Sequence, residues 1–398
     1  MKLSSDVIES SIHETHLLNF LIQFSFENRY SLAAWQLPDK KSRLIVLAKT
    51  TRRLLRNEML EDLEPGFIFA PFDREAEVTF LPSELQFRID NEILSNPTNS
   101  RESYSHEWLK EHLKPATDTV DIPFHTNDDQ GYQSESDYIN LVKESLLEIE
   151  TGTFDKVVPS RRKIVSLPAG FTVAKSFLKL CKAYPQAFVS LVSSPDTGTW
   201  MGASPEELVR VEDHTTFRTV ALAGTQPYHD GINIRKVAWT QKEIEEQALV
   251  ERYIISCFKK IRLREYDEVG PKTVVAGNLM HLKSEFTVNM KETNFPQLAS
   301  TMLQLLHPTS AICGTPLNAS LEFLKAREGY DRKFYSGYLG PVNIDEKIDI
   351  FVNLRCMQLQ REKAVLFAGA GVTIDSVPEQ EWEETEMKMN TLLRVVQS

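Results

Sequence analysis

From residue 156 to residue 370 the sequence lays down one strand-like run after another, and no other feature narrows the fold as far. Apolar and β-branched residues gather at 156–159, 188–193, 208–212, 216–222, 273–276, 336–342, 349–359 and 364–370. A long helix is expected over 240–261. Strands and helices mix without strict βαβ alternation, which reads as an α+β fold with large, mainly antiparallel sheets flanked by helices.

The chain ahead of this region alternates helical and strand-like pieces. Residues 31–36, 43–48, 67–71 and 78–81 read as strands, and 107–114 as the end of a helix. The polar, proline-containing stretch 115–136, with Thr126-Asn127-Asp128-Asp129-Gln130-Gly131 inside it, is the best linker candidate. Ser134, with Asp137 three residues on, then opens a helix by a variant of the capping box. Tyr138, Leu141, Val142, Leu146 and Ile149 carry that helix to Gly152, a C-terminal cap.

Composition removes several classes of function. The 398 residues suit one large or two medium domains. No apolar run approaches the roughly 18 to 20 residues of a membrane span. The start, MKLSSDVIESSIHETH, lacks the basic segment and apolar core of a signal peptide. Cys181, Cys257, Cys313 and Cys356 lie far apart with no CxxC pair, which fits reduced, buried thiols in a cytoplasmic protein rather than a zinc site. A net charge of −11 argues against nucleic acid and anionic membranes as partners. An anionic substrate would therefore need a local cluster of Arg, Lys or metal.

Several residues stand out for their setting. Near the C-terminus, Pro378 and the acidic residues after it signal a helix start, and on that helix Glu381, Glu384 and Lys388 share one face. Such a stripe is either a solvated surface or a place to hold a divalent cation beside an anion. Glu246 falls with Val250 and Tyr253 in an apolar stripe of the 240–261 helix, which looks buried on most sides. A carboxylate there needs a metal or, as the plainer reading, an arginine partner. Glu243 and Glu245 read as solvated. The turn Gly202-Ala203-Ser204-Pro205-Glu206 can present Glu206 to a cleft or be only a turn. Lys156 heads a strand, where a lysine is usually exposed. If it faces a cavity it becomes a candidate base. Ala368-Gly369-Ala370-Gly371 follows an apolar strand and lets a ligand approach backbone amides; it is not a dinucleotide-binding fingerprint. His281 sits in an apolar context that also suits a core histidine. Arg355 lies inside an apolar strand and calls for an anionic partner, from the protein or from a ligand.

Taken in order, KVVPSRR (156–162), GASPEELVR (202–210), ALAGT (221–225), the helix around Glu246, NLMHL (278–282), LHPTSAICGTP (306–316), FYSGYLGPV (334–342), VNLRCM (352–357), FAGAGV (367–372) and EWEETEMK (381–388) resemble the chorismate-utilising enzymes. The resemblance covers residues 134–398. Residues 1–130 match weakly and are expected to be a variable N-terminal part of the same α/β body, with 131–398 as the chorismate-binding catalytic region. Within the superfamily the sequence is most similar to the isochorismate synthases. Lys156 stands where aminating relatives usually carry Gln. Ala223 stands where aminodeoxychorismate synthases carry a nucleophilic Lys. Ala311 stands where salicylate-forming relatives usually have Thr.

The resemblance implies a monomeric, Mg²⁺-dependent isomerase that converts chorismate to isochorismate for menaquinone or catechol siderophore synthesis. It implies Glu246 and Glu384 as Mg²⁺ ligands, with Glu381 close by, through water. Lys156 would be the base that activates water for attack at C2, and Glu206 the acid that protonates the departing C4 hydroxyl. These roles demand a neutral Lys156 and a protonated Glu206. Arg355 and the Gly369 backbone would bind the enolpyruvyl carboxylate with help from Tyr335. His281 and Lys388 would line the ring and its carboxylate, and Gly224 and Thr225 the pocket floor. Glu383 and Glu386 would face solvent. Three departures stand out: Pro159 for the usual Leu, Gln247 for the His after Glu246, and Phe367 for a frequent Tyr. The rival readings are a salicylate synthase, which would go on to eliminate pyruvate, an aminating anthranilate or aminodeoxychorismate synthase component, and a catalytically silent chorismate-binding protein.

Overall fold

The strands Phe188–Ser194 and Gly198–Ser204 are buried along their whole length, which is why they read as continuous runs of apolar and small residues rather than as alternating ones. They lie at the centre of a nine-stranded antiparallel sheet. Its spatial order is Ile93–Leu94, Leu85–Asp90, Arg43–Ala48, Ser31–Gln36, Phe188–Ser194, Gly198–Ser204, Cys356–Leu359, Lys363–Gly369 and Ser160–Ser166. A second nine-stranded antiparallel sheet runs Asp267–Ala276, Leu279–Asn289, Thr216–Pro227, Glu207–Glu212, Lys347–Val352, Tyr338–Ile344, Gly66–Ala70, Val78–Pro82 and Arg52–Leu54. Lys156–Val157 pairs separately with Gly314–Thr315. The structure, a computed structural model, describes residues 13–397 apart from 56–57, 114–121, 128–130, 132, 230 and 277–278. Half of the expected linker, Asn278 of NLMHL and the first twelve residues thus lie outside the described residues.

The two sheets pack face to face over Trp35, Phe67, Phe69, Phe188, Trp200 and Phe351. Phe188 from one sheet stacks on Phe351 from the other at 4.2 Å. Each fully buried aromatic contributes roughly 1.5–3 kcal/mol, so this layer is a principal source of stability. The helices Glu14–Asn28, Val173–Ala183 and Pro378–Val396 cover the outer face of the first sheet. Gln241–Lys260 and Leu298–Leu306 cover that of the second. The N-terminal strands belong to both sheets: Ser31–Gln36 pairs with Phe188–Ser194, and Gly66–Ala70 with Tyr338–Ile344.

Local signals place several boundaries. Ser134 and Asp137 form a reciprocal capping box on Glu135–Glu150, and Gly152 follows in the left-handed conformation (φ 79°). Thr240 and Glu243 cap Gln241–Lys260 in the same way, and Pro378 occupies the first turn of its helix. The expected 349–359 strand is two strands, Lys347–Val352 and Cys356–Leu359, in different sheets. The chain leaves one sheet and enters the other between them. All four cysteines are buried and free. Among the described residues no helix is long and apolar enough to cross a membrane.

Candidate active site

The chain crosses between the sheets at two adjacent places. It passes from Gly198–Ser204 into Glu207–Glu212 through Pro205-Glu206, and from Lys347–Val352 into Cys356–Leu359 through Asn353-Leu354-Arg355. The Ala203 amide donates to the Arg355 carbonyl at 3.0 Å, the Val352 amide to the Glu206 carbonyl at 3.0 Å, and the Ser204 hydroxyl to the Val352 carbonyl at 2.5 Å. Arg355 takes φ 48°, a left-handed conformation that costs a non-glycine residue about 1–2 kcal/mol. A Cβ on Gly202 would sit 2.9 Å from the Arg355 carbonyl, so glycine is required for this close approach. Arg355 therefore sits at a sheet-to-sheet crossing and not, as its apolar neighbours suggested, inside a strand.

Both crossings open on a cavity of about 250 Å³. Lys156 reaches it from its short strand, 5% exposed, with its chain lying over Gly371, where a Cβ would stand 2.9 Å from Cε. Gly224 and Thr225 reach it from a bulge in Thr216–Pro227, where pairing with Leu279–Asn289 slips and Gly224 takes φ 64°. His281 comes from the neighbouring strand and Ala311 from the loop before Gly314. Tyr335 stacks on Phe367 at 5.3 Å, and Gly369 ends its strand beside the Tyr335 hydroxyl. Glu384 and Lys388 enter from the C-terminal helix and Glu246 from Gln241–Lys260.

The charges are arranged for an anion. Lys156, Lys242, Lys388 and Arg355 all line the cavity of a protein whose net charge is −11. A buried nitrogen of Arg355, Nη1, has no hydrogen-bond partner, a cost that an anionic ligand would relieve. Burial pushes the Glu206 carboxyl up to about 7, against the lowering pull of the Thr309 hydroxyl, Lys156, Lys388 and Arg355. Burial acts on Glu384 in the same direction. There Lys388, hydrogen-bonded at 2.6 Å, together with Lys242 and Arg355 prevails and holds the carboxyl below its ordinary range. Lys388 also donates to the Gly369 carbonyl at 2.8 Å. Burial lowers His281 to about 4, so the ring is neutral. Its Nδ1 lies 2.9 Å from the Gly224 carbonyl, which assigns the proton to Nδ1 and leaves Nε2 as an acceptor.

The model of the chorismate binding enzyme family matches residues 83–397. The chain belongs to this family. Isochorismate synthase EntC of Escherichia coli K12 is 28% identical over 271 residues, 67% of this chain and 68% of that protein. Isochorismate synthase DhbC of Bacillus subtilis is 29% identical over 272 residues, 65% of this chain and 67% of its own. The solved structure of MenF, the menaquinone-specific isochorismate synthase of Escherichia coli, superposes with a TM-score of 0.72 at 20% identity, covering 95% of this chain and 91% of that one. At that identity the likeness speaks to the fold.

Of the residues the sequence nominated, Glu381 alone stays off the cavity wall. It is buried behind the wall, 3.7 Å from Lys242, with burial and the nearby Glu384 raising its carboxyl. Among the described residues no three His, Cys, Asp or Glu side chains form a ready-made metal cluster. Glu246 is not in a buried stripe. The helix buries Gln247, Val250, Ile254, Cys257 and Phe258, while Ile244 is 48% exposed, so Glu246 lies half-buried beside the stripe at the cavity rim. Gln247, which replaces the family's histidine, donates to the Ala221 carbonyl and to Glu251 and ties the helix to its sheet. Glu243 is not simply solvated: it caps the helix, accepts from Gln226 at 2.8 Å and lines the cavity. Its i, i+3 spacing from Glu246 was the available signal. Glu386 pairs with Arg161 and Lys163 instead of facing solvent. Thr309, in the LHPTSAICGTP motif but not singled out, donates to Glu206 at 3.5 Å.

Proposed function

We propose that the protein is an isochorismate synthase: it takes chorismate, adds the oxygen of water at C2 and expels the C4 hydroxyl. The observation that carries this reading is the pairing, in one cavity, of Lys156 with a carboxyl, Glu206, that burial keeps half-protonated near neutral pH. Lys156 removes a proton from water as its oxygen bonds to C2. The ring double bonds shift, the C4–O bond breaks, and Glu206 delivers its proton to the leaving oxygen. One water enters and one leaves, so the product is an isomer. Proton return from Lys156 to Glu206 through solvent resets the pair.

Arg355 Nη1 and the Gly369 backbone fit the enolpyruvyl carboxylate, and neutral His281 offers Nε2 as an acceptor to the ring. The cavity's carboxylates are a hard-oxygen donor set of the kind that holds a partly hydrated Mg²⁺ together with a ligand carboxylate. Glu246 and Glu384 would hold the ion, with Glu381 behind them. When bound it would neutralise the carboxylate on the ring. The test is product identification: purified protein, chorismate and Mg²⁺, followed by chromatography. Isochorismate as the sole product supports the assignment. Fluorescent salicylate, or a product that forms only with ammonia or glutamine, would replace it with one of the rival activities, and unchanged chorismate would point to a silent binder.

A further inference from the structure

A second cavity, of about 540 Å³, opens on the outer face of the second sheet, between its strands and the helices Leu298–Leu306 and Leu317–Arg327. Its size falls in the range of small-molecule sites. Leu54, Leu60, Ile68, Val78 and Leu303 give it apolar walls. One polar group is built into them. His307 is 5% exposed, lines the cavity, and neither ring nitrogen makes a well-formed hydrogen bond, the Phe72 and Pro71 backbones lying near enough only to offset part of the effect of burial. The Tyr338 ring meets it edge-on at 4.9 Å and fixes its plane. Burial lowers His307 to about 4, so at neutral pH it offers one N–H donor and one nitrogen acceptor. Ring nitrogens without a well-formed hydrogen bond are costly inside a protein, and a ligand that meets either one recovers part of that loss.

This cavity is more acidic than the first, where four cations face four carboxyls. Glu58, Asp73, Glu75 and Glu322 outnumber Arg74 and Lys325 in its lining, which disfavours an anion. A connection to the first cavity runs through one short segment. His307 lines the second cavity, Thr309 donates to Glu206, and Ala311 and Ile312 line the first.

We propose that this second cavity is an effector site for an uncharged, largely apolar ring compound carrying one hydrogen-bonding group, which His307 recognises and whose binding is felt at Glu206 through the 307–312 segment. A displacement of His307 by a bound ring is passed along the segment to Thr309 and so to the position of the acid. Linkage then requires that occupancy of either cavity alter affinity at the other by the same factor.

The probes are 2-naphthol and, as its charged counterpart, 2-naphthoate, titrated calorimetrically into the full-length protein at neutral pH. Two variants locate the binding: His307→Phe keeps a ring and removes both nitrogens, and Leu54→Trp fills the cavity from a half-buried position on its edge strand. Saturable 2-naphthol binding is expected, with 2-naphthoate at least about tenfold weaker. His307→Phe should weaken 2-naphthol by about fivefold, the loss of one hydrogen bond, and Leu54→Trp should abolish its binding. Protein saturated with 2-naphthol should bind chorismate with an affinity changed by at least about threefold, an effect absent in Leu54→Trp. Absence of 2-naphthol binding, binding that survives in both variants, equal binding of 2-naphthoate, or an unaltered chorismate affinity would each overturn the proposal.

Discussion

Replacing Glu206 with glutamine keeps the side chain's shape and its ability to accept from Thr309 but removes the titrating group, so it separates two consequences of burying this acid. The carboxyl sits at about 7 in the folded protein against an ordinary 4.5. Its folded-state value is raised, so the folded protein holds the proton more tightly than the unfolded chain does, and stability contributed by Glu206 falls as pH rises from about 4.5 to about 7. At roughly 1.4 kcal/mol per tenfold, the difference amounts to about 3 kcal/mol of destabilisation at pH 8 and under about 1 kcal/mol at pH 5. The glutamine variant escapes this cost. Urea unfolding should therefore find Glu206→Gln more stable than the parent by up to about 3 kcal/mol at pH 8, and close to it at pH 5. Chorismate turnover should be lost at both. In the parent, turnover should decline as pH rises through about 7, tenfold per pH unit beyond it, as the acid loses its proton. A difference in stability between variant and parent that is the same at the two pH values would refute the account of burial. A variant that still turns over chorismate would refute the catalytic role. Gain of stability with loss of activity is the pattern expected where a fold tolerates strain for function.

Three further outcomes follow from the same geometry. Lys156→Ala should abolish turnover while circular dichroism and the melting temperature stay near those of the parent; surviving turnover would remove the base. Arg355→Lys keeps the charge but loses the fork that presents Nη1, and should reduce kcat/KM for chorismate by about tenfold or more, with an unchanged value refuting the carboxylate contact. Chelation should stop the reaction and Mg²⁺ restore it, with Glu384→Gln and Glu246→Gln each needing more Mg²⁺ for half-maximal calorimetric binding; metal-independent turnover would refute that site.

Much of this was legible in the sequence because the relevant signals are local. The capping box at Ser134 and the apolar runs of the central strands depend on neighbours a few residues away. Errors arose where tertiary structure decides. The position of Glu246 beside the buried stripe turns on a rotation of about 100° per residue, and a helix that buries only one face gave the inner place to Gln247. The break at 353–355 is only three residues long, and Val352 and Cys356 on either side of it are both fully buried, each in a different sheet. The turn's asparagine, Asn353, is not the residue in the left-handed conformation; Arg355 is.

The location of the site follows from sheet topology more than from any single motif. Gly198–Ser204 pairs with Cys356–Leu359 in the first sheet, and their continuations Glu207–Glu212 and Lys347–Val352 pair in the second. Two strands that are neighbours in both sheets must cross between them side by side. At a crossing the backbone cannot satisfy its usual ladder, and Leu354 packs against the cores on both sides of the second sheet while Glu206 and Arg355 line the cavity. These two charged side chains face the gap where the sheets part. That places Glu206 and Arg355 together even though most of the catalytic region separates them in sequence, and it fixes them through backbone hydrogen bonds between Ala203 and Arg355 and between Val352 and Glu206. An insertion of one residue at either crossing would shift the following strand by one position in its sheet, turning its buried face outward. The spacing of acid and anion site is thereby tied to the register of both sheets, so the same pairing that holds the core together holds the two groups in place.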